Sequence, residues 1–144
     1  HFFPDSRIVT IGAPPSQTAT ELGRFAAKKA AEFNLSAKVI GSTDLTHYGP
    51  DFNFTPAGTG PDAYQWVKTQ NDRRVIDKML EMDSPAVIQE GLSNQNACCA
   101  GAAAAAIAAS KTLGATTGHM VGYSSSYEKN PGSTFVGYGG IVYT

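Results

Sequence analysis

The strongest constraint on the fold is a strand–helix–strand pattern in the first third of the chain. Arg7–Ala13 is a short β-favouring run that ends at two prolines, and Ala37–Ser42 is a second, largely apolar run. Between them, apolar residues keep helical spacing as far as Asn34, a residue that suits a helix C-terminus. Strand, helix and strand joined by short connections are typical of a right-handed βαβ unit. The pattern therefore predicts an α/β protein with a mostly parallel sheet and helices on both faces.

The last quarter of the chain predicts a different kind of pairing. Thr117–Ser126 and Phe135–Thr144 both have the composition of strands. Pro131 and Gly132 lie between them and match a type II turn. We expect these two strands to form an antiparallel pair that closes the C-terminal side of the sheet.

Three more helices are predicted between these two regions. One covers Asp62–Met82, and a second begins at Ser84 as N-cap with Pro85 in its first turn. The third is alanine-rich, ends at Gly114, and is slim enough to pack closely against other elements. The charged residues of the first helix, Asp72 among them, are interpreted as its solvent-facing side.

Polar residues follow Ala37–Ser42 directly, and two of them suggest a site. In open parallel sheets, ligands bind beyond the carboxyl ends of the strands. Asp44 and His47 are three residues apart, so one turn can bring them together as a general base with its orienting carboxylate, or as a metal-bound histidine with a carboxylate partner. The alternative is that Asp44 caps a turn and His47 is an ordinary half-exposed histidine. The long loop from Pro50 to Pro61 follows and is predicted to be a lid or wall.

A second candidate site is the pair of adjacent cysteines before the alanine-rich helix. If Asn94 or Asn96 caps that helix, Cys98 and Cys99 lie in its first turn. Exposed N–H groups and the helix dipole favour the thiolate there, which makes one cysteine a candidate metal ligand or nucleophile. The alternative is that both are small buried hydrophobic residues.

Composition excludes several classes of function. The chain has 144 residues, 42% of them hydrophobic, and a net charge of −1, which fits a single globular domain. There is no basic stripe for nucleic acid, and no apolar run approaches the roughly 20 residues that span a bilayer. Two adjacent cysteines cannot form a disulfide scaffold, so we expect a reducing, cytoplasmic location.

Four motifs in this order resemble the Memo-like family: STDLTHYG, NACCAG, YSSS and GYGGIVY. The resemblance implies an α/β fold similar to the class III extradiol dioxygenases, which bind non-haem iron, and a redox metal site of two histidines and one cysteine. Asp44 and His47 match the family's Asp-x-x-His near the metal, and Cys98 matches its cysteine ligand. The family has glycine where this chain has Cys99, which leaves open a second ligand or exchanged roles for the two thiols.

The resemblance also implies that residues 1–144 are the C-terminal half of one Memo-like domain. The family's two metal-binding histidines lie in an N-terminal half that would precede His1. We therefore expect the N-terminal half of the same protein, or a companion chain, to complete the site as a partner. A thiolate with an imidazole suits iron or copper, with zinc also possible.

The expected function is a non-haem, metal-dependent redox or dioxygenase-like enzyme. Cys98 and His47 would be metal ligands, and His47 with Asp44 would be the catalytic pair. Family spacing points Cys98 into the site and makes Cys99 a small buried residue beside Ala102 and Ala103. Two alternatives stay open: a non-catalytic module that binds a peptide or small anion, and an enzyme that uses Cys98 as nucleophile and His47 as base.

Overall fold

The computed structural model describes residues 4–144, in which several helices lie between the first strand and the two C-terminal strands. The helices are α1 (Gln17–Glu32), α2 (Pro61–Trp66), α3 (Asp72–Leu80), α4 (Ser84–Asn94), α5 (Ala100–Thr112) and α6 (Ser126–Lys129). The strands are β1 (His47–Tyr48), β2 (Gly118–Ser125) and β3 (Phe135–Tyr143). None of the helices in this part of the chain is long and apolar enough to cross a membrane.

The sheet is antiparallel and has β3 at its centre. The strand order is β1-β3-β2, with His47 opposite Val136 in one pair and Gly118 opposite Tyr143 in the other. The α/β class and the antiparallel C-terminal strands predicted from the sequence are therefore confirmed. This sheet positions the site, because β3 holds β1 and the residues on either side of it.

The two N-terminal apolar runs are extended but unpaired. Within residues 4–144, neither Arg7–Ala13 nor Ala37–Ser42 belongs to a strand, so the parallel pairing expected of them is not found in this part of the chain. Ile8 and Ile40 are 86% and 84% exposed. A strand depends on a neighbour for its hydrogen bonds and for burial of its side chains, and neither run has such a neighbour here.

The alanine-rich helix α5 is the tightly packed centre of the helical layer. Most of its alanines are buried, and Ile107 is completely covered. Helix α1 crosses it so closely that a β-carbon at Gly23 would overlap the backbone carbonyl of Ala105. The prediction of a slim, closely packed helix is confirmed.

Two helix boundaries differ from the prediction. The helix expected over Asp62–Met82 is interrupted by a π-helical turn at Val67–Asn71. Asp83, rather than Ser84, caps α4, since its carboxylate accepts the Ala86 N–H at 3.1 Å. The first difference matters for the site, because an inserted π-turn changes which residues of the following helix face the core.

Aromatic stacking fixes β1 against the rest of the molecule. The rings of Tyr48 and Phe135 are stacked with their centroids 5.0 Å apart, and both side chains are buried. The Tyr48 hydroxyl also donates to the carbonyl of Gly58 and accepts the N–H of Ala57, at 3.0 and 2.9 Å. The loop after β1 is thereby attached to the strand that carries His47.

Candidate metal centre

Asp44, His47 and Cys98 form a compact cluster. One potential ligand atom from each lies within 4.8 Å of the other two. His47 Nε2 is 3.3 Å from Asp44 Oδ2, and these side chains are 33% and 47% exposed. All three residues predicted from the sequence are thus together at a site that solvent can reach.

Backbone hydrogen bonds hold Cys98 beside Asp44. The Cys98 N–H donates to the Asp44 carbonyl at 3.1 Å, and the Asp44 N–H donates to the Cys98 sulfur at 3.3 Å. The Thr43 hydroxyl accepts the Cys99 N–H at 3.0 Å and donates to the Asp44 carbonyl at 2.8 Å. Two segments far apart in sequence are therefore joined at the cluster itself. Thr43 links them by hydrogen bonds that the sequence motifs did not predict.

The two cysteines lie at the start of α5 but not in its first turn. Cys99 is the N-cap residue and Cys98 precedes it, whereas Asn94 or Asn96 had been expected as the cap. Asn94 ends α4, and Asn96 is buried and donates to Glu90. The predicted first-turn position of both cysteines is therefore wrong.

Cys99 is exposed, so its predicted role as a small buried residue is also wrong. The helix begins one residue after it, which removes Cys99 from the packed face of α5. Its sulfur is 3.8 Å from the sulfur of Cys98. The hydrogen bond with Cys98, desolvation, and the electrostatic effects of Cys98 and Asp44 raise the pKa of the Cys99 thiol.

A buried carboxylate supports the site from behind. The N–H and hydroxyl of Thr46 donate to one oxygen of Asp72, the former at 2.9 Å, and the Tyr123 hydroxyl donates to the other oxygen at 2.7 Å. Burial raises the pKa of Asp72 despite these hydrogen bonds, which act in the opposite direction. Thr46 precedes His47 in the chain, so Asp72 fixes the backbone from which the imidazole projects.

Asp72 had been assigned to the solvent-facing side of its helix, and this assignment is wrong. The π-turn at Val67–Asn71 adds a residue to the helical path immediately before Asp72. One residue corresponds to about 100° of helical rotation, enough to move Asp72 from the solvated side to the core. Helical periodicity in the sequence carries no sign of that insertion.

The loop after β1 forms a wall beside the imidazole. The ring centroids of His47 and Phe52 are 4.7 Å apart, and Phe52 belongs to a short 3₁₀ turn at Pro50–Phe52. Ser125 and Ser126, which belong to the YSSS motif, connect the two strands of the β-hairpin. Ser125 donates to the Val136 carbonyl at 2.9 Å, and Ser126 accepts the Val136 N–H at 2.9 Å.

The donor set fits a transition-metal ion. Bonds of about 2.0–2.3 Å to a tetrahedral ion place its ligand atoms about 3.3–3.8 Å apart. The Asp44–His47 distance of 3.3 Å meets this requirement. The other ligand atoms of the cluster lie within 4.8 Å of one another, so side-chain rotations that move them by about 1 Å are sufficient. An imidazole, a carboxylate and a thiol are donors that iron, copper and zinc all accept.

Comparisons with known proteins agree on one family. A family model described as "Memo-like protein" matches residues 1–142. A MEMO1 family protein of Thermococcus onnurineus is 30% identical over 143 residues, which are 96% of this chain and 49% of that protein. A MEMO1 family protein of Methanothermobacter thermautotrophicus is 34% identical over 134 residues, 90% of this chain and 43% of that protein. The chain spans about half the length of the curated relatives that it matches.

Proposed function

This chain belongs to the Memo-like protein family, and from that premise we propose that it carries part of a metal-dependent redox centre. The observation that supports the proposal is the cluster of Asp44, His47 and Cys98, whose ligand atoms lie within 4.8 Å of one another. The three side chains come from two separate segments that are hydrogen-bonded to each other at this point.

Each residue has a role that its contacts support. The Cys98 thiolate and the His47 imidazole would bind iron or copper, and zinc is compatible with the same donors. Asp44 would accept a hydrogen bond from Nε2 of His47 and so fix the orientation of the ring, as carboxylates beside metal-bound histidines do, and Nδ1 would then be the nitrogen that binds the metal. A bound iron or copper ion would supply one-electron redox chemistry at a position open to solvent. In the absence of metal, the His47 imidazole, oriented by Asp44, would act as a base that takes a proton from a bound small molecule.

We further propose that polypeptide outside these 144 residues completes the domain and the site. The relatives are about twice as long, and Ile8 and Ile40 present apolar surface on unpaired extended backbone. A groove beside the second extended run has apolar residues from three elements in its lining, including Val39, Ala103 and Ile141. The N-terminal half of the same protein, or a companion chain, would add strands there. Free thiols at the site suit a reducing compartment such as the cytoplasm.

A second candidate function is nucleophilic catalysis by Cys98. The thiol is exposed and lies within 4.8 Å of a ligand atom of His47, a distance at which the imidazole can act as its base after a small rotation. The same cluster thus supports two chemistries that differ in whether metal is needed.

Metal analysis separates the two candidates. The chain is incubated anaerobically with ferrous or cuprous ion, desalted, and its metal content measured for wild type, Cys98→Ser and His47→Asn. His119→Asn is the matched control, because His119 contacts Thr144 and lies outside the cluster. A stoichiometric metal content that survives desalting in wild type and His119→Asn but falls in the first two variants supports the metal centre. Metal-free protein whose Cys98 is rapidly alkylated at neutral pH, and more slowly in His47→Asn, supports the nucleophile.

A further inference from the structure

We infer that Cys99 is a second thiolate ligand of the same centre, so that the metal is held by both cysteines together with His47. This inference rests on the proposed metal centre and adds a residue to it. It assigns a role to the position at which the chain departs from the Memo-like pattern. The ions that such a site takes are thiophilic, with zinc and cuprous copper as the natural candidates.

The first support is the distance between the two sulfur atoms. Cys98 Sγ and Cys99 Sγ are 3.8 Å apart. Two thiolates bound at about 2.3 Å to one tetrahedral ion are separated by about 3.8 Å. The two sulfur atoms therefore already have the separation that a shared ion requires. Cys99 is not in the group whose ligand atoms lie within 4.8 Å of one another, so its side chain rotates towards His47 when the ion is bound.

The second support is that both sulfurs are accessible. Cys98 and Cys99 are free and exposed, although neighbouring residues of α5 such as Ala103 and Ala104 are buried. Free cysteine is among the residue types most often buried, so two adjacent exposed thiols call for a reason. Neither side chain is part of a hydrophobic cluster within residues 4–144, and a shared metal ion would give both thiols a partner.

The third support is that the backbone of both cysteines is fixed to the segment that carries the other donors. The Cys98 N–H donates to the Asp44 carbonyl and the Cys99 N–H to the Thr43 hydroxyl, at 3.1 and 3.0 Å. The two thiols are thus held beside Asp44 by two hydrogen bonds to consecutive residues. Metal sites gain affinity from such positioning because less conformational freedom is lost on binding.

A second thiolate changes the chemistry of the centre. Without Cys99, the ligands proposed from this chain are one thiolate and one imidazole, with Asp44 orienting the imidazole. With Cys99 the chain offers three ligands, two of them soft, and the fourth tetrahedral position stays open for a ligand from outside these residues. The preference then shifts from iron towards zinc and cuprous copper.

Spectroscopy counts the thiolates directly. Co²⁺ is titrated anaerobically into wild type, Cys99→Ser, Cys98→Ser and the double variant, and sulfur-to-cobalt charge-transfer absorbance is measured per bound ion. The inference expects each single variant to show half of the wild-type absorbance and the double variant to show none. Far-UV circular dichroism of each variant confirms that the fold is retained, which these exposed positions should allow. His47→Asn should shift the visible cobalt bands, because an imidazole ligand is lost.

The outcomes separate this inference from the function on which it rests. If Cys99→Ser keeps the full charge-transfer absorbance while Cys98→Ser abolishes it, the inference is overturned and a one-thiolate centre stands. If both single variants halve the absorbance but His47→Asn leaves the visible bands unchanged, the dithiol binds metal apart from the cluster, and the inference is again overturned. If wild type shows no sulfur-to-cobalt absorbance at all, the proposed metal centre fails with it.

Discussion

The hydroxyl of Tyr123 donates a 2.7 Å hydrogen bond to Asp72, a carboxylate with no exposed surface. The other oxygen of Asp72 receives two hydrogen bonds from Thr46, the residue before His47. A buried charge is tolerated only when such donors surround it. The candidate site therefore rests on a polar contact in the core, and the stability of the fold and the position of the imidazole depend on the same group.

Replacement of Asp72 by alanine should lower the free energy of unfolding by about 3 kcal/mol or more, since the two buried donors of Thr46 and the half-buried Tyr123 hydroxyl lose their acceptor. Urea denaturation of wild type and Asp72→Ala measures the difference. Asp77→Ala is the matched control, because Asp77 lies on the exposed side of the same helix and pairs with Arg73. Its cost should be below about 1 kcal/mol. Equal effects of the two substitutions would contradict the structural role of Asp72.

The raised pKa of Asp72 predicts a pH dependence of stability. Because burial raises the folded-state pKa above its ordinary value of 3.8, the folded protein binds more protons than the unfolded chain between those two values. The contribution of Asp72 to stability is fully present below the pKa that it has in the unfolded chain. This contribution is lost as the pH rises through the pKa that Asp72 has in the folded protein. The stability of wild type relative to Asp72→Asn should therefore fall across that window and stay level above it. A difference that does not change with pH would show that Asp72 has the same pKa in both states.

Gly137 leaves the space that the Asp72 carboxylate occupies. A β-carbon at this position would overlap the carboxylate oxygen that Tyr123 contacts. Gly137→Ala should therefore destabilise the fold by about 1–3 kcal/mol, as overpacking does in a closed core. Gly122→Ala on the neighbouring strand is the control, since a β-carbon there meets nothing within 4 Å. Thermal unfolding of both variants measures the difference in their stability. Equal stability of the two variants would show that the Asp72 carboxylate can move away from the added β-carbon.

The three residues that the sequence proposed as a site lie together in the structure, whereas the surroundings of these residues differ from the prediction. The three-residue spacing of Asp44 and His47 brings them together in a single turn, so the local pattern was sufficient. Cys98 was identified from its place before an alanine-rich helix and from the family motif. The exposure of Cys99 was not predicted, because α5 begins after Cys99 rather than at a local asparagine, and the Cys99 N–H donates to the hydroxyl of the distant Thr43, a contact that local sequence does not reveal.

The errors in the fold have equally specific causes. Arg7–Ala13 and Ala37–Ser42 have strand composition, but a strand exists only when a neighbouring strand accepts its hydrogen bonds. The antiparallel pairing of β2 and β3 was predictable because the two strands are consecutive in the chain. The predicted type II turn between them is wrong, since the helix α6 lies in the connection and Gly132 does not have the positive φ that such a turn requires. The burial of Asp72 was not predictable, since a π-turn shifts the helix without changing its composition.

Thr43 should control metal affinity without touching the metal. Thr43→Val keeps the shape of the side chain but removes the hydroxyl that accepts the Cys99 N–H, whereas Thr43→Ser keeps it. Loss of a group that positions metal ligands typically lowers affinity by about 10–100-fold. Competition with a chromophoric chelator should show that loss in Thr43→Val and near-normal affinity in Thr43→Ser. If Thr43→Val binds metal as tightly as wild type, the hydrogen bond does not position the thiols.

The unpaired apolar segments predict how this chain behaves by itself. Ile40 is 84% exposed, so Ile40→Asp should change the free energy of unfolding by no more than about 0.5 kcal/mol. The same substitution should reduce concentration-dependent self-association of the chain in sedimentation velocity, because it places a charge on surface proposed to pair with another segment. Ile107→Thr, at a fully buried position of α5, serves as the opposite control and should cost at least about 1 kcal/mol. A wild-type chain that stays monomeric at high concentration and binds no hydrophobic dye would contradict the proposal that further polypeptide covers these segments. An apolar surface that is normally buried should self-associate when it is exposed.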